Sequence, residues 1–347
     1  MDTCNKIVFS NAEKLESLQD DSVDLVVTSP PYPMIEMWDS SFSEWEEEIK
    51  TSLSENNGNK AFELMHQKLD LIWEECNRVL KDGCFACINI GDATRKVGDQ
   101  FKLYSNHTRI TEKFYNLGFD CLPIVLWRKQ TNAPNKFMGS GMLPSGAYVT
   151  LEHEYILIFR KGNKRTFKNN EKENRQESAY FWEERNIWFS DIWDFKGTNQ
   201  NINNAKSRKR SGAYPIELAH RLINMYSMKN DYVLDPFIGT GTTLNACILN
   251  KRNCIGYEID SSFKNVILEN VNEFSKEVND IIGLRYKKHQ DFIESYIKKK
   301  GNPKYFNKFH NFPVVTNQET NLILEILKNI IIQNTEFKCS YTQFGGV

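Results

Sequence analysis

The stretch YVLDPFIGTGTT, from Tyr232 to Thr243, carries the clearest structural signal in the chain. A short apolar run leads into an aspartate and a proline, and two glycines follow at Gly239 and Gly241. Glycine adopts positive φ readily and lets the backbone approach a ligand closely. Thr242 and its neighbour can cap a following helix. The stretch therefore predicts a strand, a tight turn and the start of a helix.

This glycine turn differs from two familiar nucleotide-binding loops. No Gly-Lys-Ser/Thr follows it, as a P-loop requires, and Leu244 stands where the dinucleotide fingerprint has its third glycine. The next apolar run ends at Glu258 and Asp260, about 20 residues beyond the glycines, where an acid can hold a ribose diol. These features favour a cofactor with a nucleoside but no pyrophosphate, of which S-adenosylmethionine is the commonest. A turn without a ligand is the alternative.

Short apolar runs alternate with amphipathic stretches along most of the chain, which is typical of an α/β fold with a largely parallel sheet. The predicted strands are Val23–Val27, Cys84–Ile90, Cys121–Trp127, Glu154–Phe159, Tyr232–Leu234 and Cys254–Ile259. Apolar residues recur at three- and four-residue steps in Ala61–Leu80, which predicts a helix that stops near Gly83. A second helix is predicted for Pro215–Ser227.

A second constellation, Ser29-Pro30-Pro31-Tyr32, follows the apolar run Val23–Val27 after one intervening threonine. The prolines fix the backbone and leave carbonyl oxygens rigidly presented. A serine hydroxyl beside such a carbonyl offers two acceptors for an N–H₂ group, and the tyrosine offers a face on which a flipped base can stack. A proline turn with a surface tyrosine is the alternative.

Together the two segments resemble the amino-group DNA methyltransferases of the β class, in which a Ser/Asp/Asn-Pro-Pro-Tyr motif precedes a Phe-x-Gly-x-Gly motif. Ser29–Tyr32 matches the first motif and Phe237–Gly241 the second. The likeness extends over most of residues 7–270, and further matches are Cys87–Asp92, His153–Lys161 and Gly212–Leu222. The resemblance implies a Rossmann-like, S-adenosylmethionine-dependent methyltransferase sheet with the permuted motif order.

The resemblance also implies a set of site residues. Ser29 Oγ and the Pro30 carbonyl would hold the target amine while it attacks the methyl group, and the catalytic set is Ser29, Pro30, Pro31 and Tyr32. The implied cofactor set is Asn11, Asp235, Phe237, Gly239, Gly241, Thr242 and Glu258. Asn11 stands where the family often has an acid, and its oxygen can accept a hydrogen bond from the adenine amine. None of the eight cysteines follows a proline, which disfavours attack through a cysteine on a ring carbon.

Ser29 also suggests the target. In the resembling family, serine at the first motif position occurs mostly in cytosine-N4 enzymes, and aspartate or asparagine in adenine-N6 enzymes. The resemblance therefore implies methylation of cytosine N4 in double-stranded DNA, with adenine N6 as the alternative and a cognate restriction endonuclease as a counterpart that need not form a complex. An RNA or protein-amide methyltransferase, and a DNA-binding module with an inactive site, stay open because fold does not fix substrate.

Charge and composition indicate where DNA would bind. The formal net charge of −1 gives no sign of a polyanionic partner, so local charge matters more than the total. We divide the chain into a catalytic half (1–161), a DNA-recognition region (162–211), a cofactor half (212–272) and a helical, basic extension (273–347). The recognition region is polar, and the predicted DNA contacts are Lys206, Arg208, Lys209 and Arg210. A solvated basic loop is the alternative.

The cysteines and the hydropathy pattern argue against other classes. Cys84 and Cys87 have C-x-x-C spacing, but no second pair or nearby histidine completes a zinc site. We therefore interpret them as core residues and expect no metal. No apolar run approaches ~18 residues and the first residues lack a signal-peptide pattern, so no membrane association and a cytoplasmic location are expected.

Overall fold

The computed structural model describes residues 2–129, 138–197 and 213–345. Its strands are β1 Thr3–Phe9, β2 Val23–Thr28, β3 Leu80–Ile90, β4 Ala93–Val97, β5 Gln100–Tyr104, β6 Phe119–Cys121, β7 Val125–Arg128, β8 Met138–Gly139, β9 Ala147–Tyr148, β10 His153–Lys161, β11 Ile192–Asp194, β12 Tyr232–Asp235, β13 Asn253–Glu258, β14 Tyr305–Phe306, β15 Pro313–Val314, β16 Glu325–Gln333 and β17 Glu336–Gln343. Its helices are α1 Asp39–Trp45, α2 Glu47–Ser54, α3 Gly58–Val79, α4 Asn106–Asn116, α5 Asn169–Glu177, α6 Trp182–Trp188, α7 Ile216–Tyr226, α8 Thr242–Leu249 and α9 Phe263–Lys300. Two 3-10 turns span Glu36–Trp38 and Asn317–Glu319.

Most of these strands form one mixed sheet. Ten of its strands follow the order β11-β7-β10-β3-β2-β12-β13-β1-β17-β16, and β6 pairs with β10. The central strands β3, β2, β12, β13 and β1 are parallel to one another. Antiparallel pairing begins at β10 on one side and at β17 on the other. The predicted α/β class is confirmed, and the carboxyl ends of the parallel strands meet at one edge, where such sheets bind ligands.

Both faces of the sheet are covered. Every residue of β2 is buried, and its side chains alternate, with Leu25 and Val27 on one face and Val26 on the other. The helix α3 packs the second face through a fully buried stripe that includes Met65, Leu69, Ile72, Trp73 and Cys76. Burying one leucine- or isoleucine-sized side chain stabilises a fold by about 1.5–3 kcal/mol. The central strands are therefore held from both sides.

The predicted stop signal at Gly83 is wrong. The helix ends at Val79, and β3 begins at the next residue without an intervening turn. Gly83 lies inside β3 with φ +80°, and a Cβ there would come within 2.5 Å of the backbone nitrogen of Arg165. Glycine is therefore needed for a close approach of two chain segments.

The predicted strand Cys121–Trp127 is two strands, β6 and β7, that both pair with β10. The break falls around Pro123, which lies between them. Proline has no backbone N–H to donate, so a sheet ladder is interrupted there.

The C-terminal extension also departs from the prediction. It is helical only to Lys300, and the predicted boundary between residues 272 and 273 falls inside α9. The hairpin β16–β17 follows, and β17 pairs with β1, which the sequence did not predict as a strand. The physical reason is the edge of β1, whose unpaired backbone groups the hairpin satisfies. Phe337 and Cys339 are buried against it.

The described residues of the predicted recognition region form part of the main fold. The helices α5 and α6 and the strand β11 lie in it, and β11 pairs with β7. Its aromatic residues Phe181, Trp188 and Trp193 are buried. Arg285 of α9 pairs with Glu184 of α6 at 2.5 Å. The described portion of this region therefore packs against the rest of the fold, and its part in DNA recognition stays a prediction.

The C-x-x-C pair lies in β3. Cys84 and Cys87 are buried and belong to core clusters on opposite faces of the sheet, as their odd spacing in a strand requires. Two sulfur atoms placed in this way do not bind one ion. Across residues 2–129, 138–197 and 213–345, no helix is long and apolar enough to cross a bilayer.

Candidate active site

The two sequence motifs meet at the carboxyl edge of the parallel strands. Thr28 Oγ1, at the end of β2, donates a buried hydrogen bond of 2.5 Å to Asp235 Oδ1, at the end of β12. The two residues are 207 positions apart in the sequence. Adjacent parallel strands therefore bring Ser29–Tyr32 and Phe237–Gly241 to one place.

Asp235 supports the glycine turn from within. Its Oδ1 also accepts from the backbone nitrogen of Phe237 at 3.0 Å, and its Oδ2 accepts from Thr243 Oγ1 and, at 3.3 Å, from Tyr214 Oη. Burial raises the pKa of this carboxyl group, whereas the hydrogen bonds oppose that shift. Each oxygen of Asp235 therefore accepts two hydrogen bonds inside the protein, and the predicted contact of Asp235 with the cofactor stays a prediction.

The turn itself requires glycine. Gly239 has φ +51° and Gly241 has φ +90°, the latter as the residue that precedes α8. The turn is closed by a hydrogen bond of 2.9 Å from the backbone nitrogen of Gly241 to the carbonyl of Ile238. A Cβ on Gly239 would contact only the carbonyl oxygen of Phe237, at 3.9 Å. The space above the turn is therefore open to a ligand.

Glu258 lies at the end of β13 beside this turn. Its Oε2 accepts from the backbone nitrogen of Gly239 at 3.1 Å and its Oε1 from that of Asp260 at 2.9 Å. Burial raises the pKa of Glu258 to about 7. Each oxygen keeps a lone pair, which suits hydrogen bonds from a ribose diol.

The remaining predicted cofactor residues are close to the same edge. Asn11 follows β1, in which Phe9 pairs with Glu258, and its side-chain oxygen accepts from the backbone nitrogen of Glu13 at 2.9 Å. Phe237 packs against the ring of Trp73, with centroids 5.9 Å apart, and Thr242 opens α8. An open glycine turn beside a carboxylate fits an adenosyl group.

The motif Ser29–Tyr32, called the acceptor motif from here on, is held in place by its tyrosine. Ser29 Oγ lies 3.1 Å from Tyr32 Oη, and Tyr32 Oη donates to Glu154 Oε2 at 2.9 Å. Burial of the hydroxyl, with the charge of Glu154 next in importance, raises the pKa of Tyr32 well above its ordinary value. Tyr32 as a whole is partly exposed, whereas Pro30 is buried. The motif therefore combines an anchored hydroxyl with an accessible aromatic ring.

Three residues of this site were missed by the sequence interpretation. Asn89 Nδ2, on β3, donates to Tyr32 Oη at 2.8 Å and to Glu154 Oε2 at 2.7 Å, and lies 3.4 Å from Ser29 Oγ. Lys129, just beyond β7, pairs with Glu154 Oε1. A signal was present, because Asn89 and Glu154 are polar residues inside or beside apolar strand runs. Buried polar residues of this kind need partners.

The predicted DNA contacts Lys206, Arg208, Lys209 and Arg210 lie outside the described residues. A different segment, which precedes β10 in the sequence, is exposed. Residues 138–152 lead into β10, directly before Glu154, and Met142, Leu143 and Val149 are 86%, 70% and 83% exposed. The ring of Tyr148 contacts that of Phe101 at 4.8 Å, which joins this segment to the hairpin β4–β5.

Comparison with known proteins gives concordant results. The sequence profile of the family described as DNA methylase matches residues 23–270. The type II methyltransferase M.MthZI of Methanothermobacter thermautotrophicus is 49% identical, over 99% of this chain and 96% of its own. M.MjaI, a type II methyltransferase of Methanocaldococcus jannaschii, is 50% identical, over 80% of this chain and 94% of its own.

One solved structure adds the cofactor. It is a protein from Thermus thermophilus described as a putative DNA modification methylase and complexed with S-adenosyl-L-methionine. The TM-score is 0.58 and the sequence identity 29%, over 79% of this chain and 96% of that one.

Proposed function

Because this chain belongs to the DNA methylase family, as an S-adenosyl-L-methionine-dependent amino-methyltransferase of the type II restriction-modification kind, we propose that its target is N4 of cytosine in duplex DNA. The observation that carries this proposal is Ser29 at the head of the acceptor motif, 3.1 Å from Tyr32 Oη. In the resembling family, serine at this position is typical of cytosine-N4 enzymes. Protection of DNA from a cognate restriction endonuclease is the corresponding proposed role.

The described residues around the glycine turn fit the cofactor. S-adenosyl-L-methionine supplies an electrophilic methyl group on a sulfonium. Glu258 would hold the ribose hydroxyls, since both of its oxygens retain a lone pair. Asn11 would contact the adenine amine, and Gly239 leaves the space that a side chain would fill. Phe237, Gly241 and Thr242 complete this proposed set.

The acceptor motif would activate the target amine, which is a weak nucleophile. An amino group on a base ring is a poor nucleophile because its lone pair is delocalised into the ring. Ser29 Oγ and the Pro30 carbonyl would accept its hydrogens and pull the nitrogen toward tetrahedral geometry. These hydrogen bonds strengthen as positive charge develops on the nitrogen, so they lower the barrier more than they improve binding. The partly exposed ring of Tyr32 would stack on the flipped base.

Two segments would contact DNA. Lys206, Arg208, Lys209 and Arg210 remain the proposed phosphate contacts because neutralisation of phosphates needs local positive charge. The exposed side chains of Met142, Leu143 and Val149, next to the strand that carries Glu154, are the proposed contacts to unstacked bases. Exposed apolar side chains at such a position mark an interaction surface.

The decisive experiment identifies the product. Duplex DNA is methylated with the purified protein, digested to nucleosides and measured by mass spectrometry, with a reaction that lacks S-adenosyl-L-methionine as the control. We expect N4-methylcytosine. N6-methyladenine would overturn the proposed base, and the absence of any methylated nucleoside would overturn duplex DNA as the substrate.

A further inference from the structure

We propose that Ser29, Tyr32 and Glu154 form a directed proton relay, in which Glu154 fixes Ser29 as a hydrogen-bond acceptor and receives the proton that the target amine releases. The inference rests on the proposed role of Ser29 and applies to either target base. Glu154 acts through the other two residues, so it is a positioning residue and the terminal acceptor of the relay.

The chemistry of the three groups sets the direction of each hydrogen bond. A carboxylate only accepts, so Tyr32 must direct its single proton to Glu154, 2.9 Å away. The two lone pairs of Tyr32 Oη then face Asn89 Nδ2 at 2.8 Å and Ser29 Oγ at 3.1 Å. The serine proton therefore points to the tyrosine. The serine lone pairs stay free to accept a hydrogen from the target amine.

Two further residues keep this direction. Lys129 pairs with Glu154 Oε1, which leaves Glu154 Oε2 to accept from Tyr32 and Asn89. Asn89 has two amide hydrogens, and its two shorter contacts, 2.8 and 2.7 Å, are to Tyr32 and Glu154. Its contact to Ser29, at 3.4 Å, is the longest of the three. Asn89 therefore holds Tyr32 Oη and Glu154 Oε2 in place as hydrogen-bond acceptors. It leaves the lone pairs of Ser29 Oγ to the target amine.

The transfer step balances through this relay. As the bond from nitrogen to methyl carbon forms and the bond from sulfur to that carbon breaks, the amine carries one hydrogen too many for a neutral product. That proton moves to Ser29 Oγ, the serine proton moves to Tyr32 Oη, and the tyrosine proton moves to Glu154 Oε2. The products are a neutral methylated amine, a thioether and a protonated Glu154. No oxidant or reductant is involved.

The burial of its hydroxyl suits Tyr32 to the middle position of the relay, between Ser29 and Glu154. Because the buried hydroxyl beside Glu154 has a pKa well above its ordinary value, the phenol stays protonated at rest. It passes a proton on and does not act as the base itself. A relay through a neutral phenol requires a stronger acceptor behind it, and Glu154 is the carboxylate within hydrogen-bond distance.

The test is a double-variant cycle measured in single-turnover methylation of duplex DNA. Glu154→Gln preserves the size of the side chain but can donate to Tyr32, and Tyr32→Phe preserves the ring but removes the relay. We expect each variant to lower the rate of methyl transfer about 100-fold, within the range of general acid–base catalysis. The double variant should be no slower than the slower single variant, and cofactor affinity should stay within about twofold. Glu294→Gln, the same change at an exposed residue of α9, is the matched control.

Several outcomes separate the relay from other roles. A normal rate in Glu154→Gln, or additive losses in the double variant, would overturn the relay. The wild-type protein allows a test that does not depend on the folding of a variant. We expect its rate of methyl transfer to show a solvent deuterium isotope effect that involves more than one proton. The absence of that effect would also overturn it. If Ser29→Ala loses activity while Glu154→Gln does not, only the relay fails; if Ser29→Ala is fully active, the proposed acceptor role fails first.

Discussion

The cofactor side of the site and the acceptor side are held in place by different means. Around Gly239 the shape is set by backbone conformation and by a carboxylate, Asp235, whose hydrogen bonds all stay inside the protein. Around Ser29 the position of each group depends on side chains from other strands, chiefly Asn89 and Glu154. A change on the cofactor side should therefore alter affinity, and a change on the acceptor side should alter rate.

The largest effect is expected on the acceptor side. Ser29→Ala should lower kcat about 10³-fold, because the lost hydrogen bond matters most in the transition state. The dissociation constant for S-adenosyl-L-methionine should remain within about twofold of wild type. Single-turnover rates and calorimetric titration measure the two quantities. A near-normal rate would remove Ser29 from the mechanism, and a loss of cofactor affinity would blur the distinction between the two sides.

The next effect is expected on the cofactor side. Gly239→Val should weaken S-adenosyl-L-methionine binding at least about 100-fold, because valine is strained at φ +51° and fills the open space above the turn. Calorimetric titration gives the affinity, and circular dichroism shows that the protein is folded. Gly283→Val is a matched control, since a Cβ at Gly283 in α9 meets no atom within 4 Å. Equal affinity in the variant and the control would remove the turn from the cofactor site.

A third region, the basic cluster, should affect DNA binding and neither cofactor affinity nor rate. Replacement of Arg208, Lys209 and Arg210 by glutamine should weaken DNA binding about 10- to 100-fold and reduce the salt slope by about 2.7, without a change in cofactor affinity. Fluorescence anisotropy across a salt series measures this slope. Replacement of the three exposed lysines at 298–300 by glutamine is the control for net charge alone. An unchanged slope in the first variant would assign the basic cluster to solubility.

The smallest effect is a pH dependence on the cofactor side. The pKa of Glu258 is raised to about 7 by burial, with Asp260 and Asp235 contributing. A carboxylate that accepts from the ribose diol must be charged, so binding below that pKa first requires loss of a proton. Cofactor affinity should then fall about tenfold per pH unit below pH 7 and be nearly constant above it. Glu258→Gln should give a weaker but pH-independent affinity, and a flat profile in the wild type would contradict the assignment.

The sequence predicted the cofactor side better than the acceptor side, for a physical reason. The strand, turn and helix around Gly239 depend on local backbone preferences, which a short stretch of sequence contains. Asn89 and Glu154 reach Tyr32 only because β3 lies between β2 and β10, and strand order is set by the whole fold.

Two other elements were missed because their signals are ambiguous or nonlocal. The apolar residues of β16 suit a strand or a helix about equally, and β16–β17 becomes a hairpin because β1 offers an edge to pair with. The glycine at 83 is compatible with a helix stop, but glycine is required there because the backbone of Arg165, far along the chain, comes close to it. In both cases tertiary contact decides between local options.

The hydrogen bond from Thr28 to Asp235 bears on how the protein is made. A ribosome that adds about 5–20 residues per second needs roughly 10–40 seconds to travel the 207 positions between them. During that time β2, whose residues are all buried in the finished sheet, has no β12 beside it. The nascent chain must therefore keep an apolar strand edge uncovered until the glycine turn emerges, which makes this interval the point at which aggregation or chaperone binding would compete with folding.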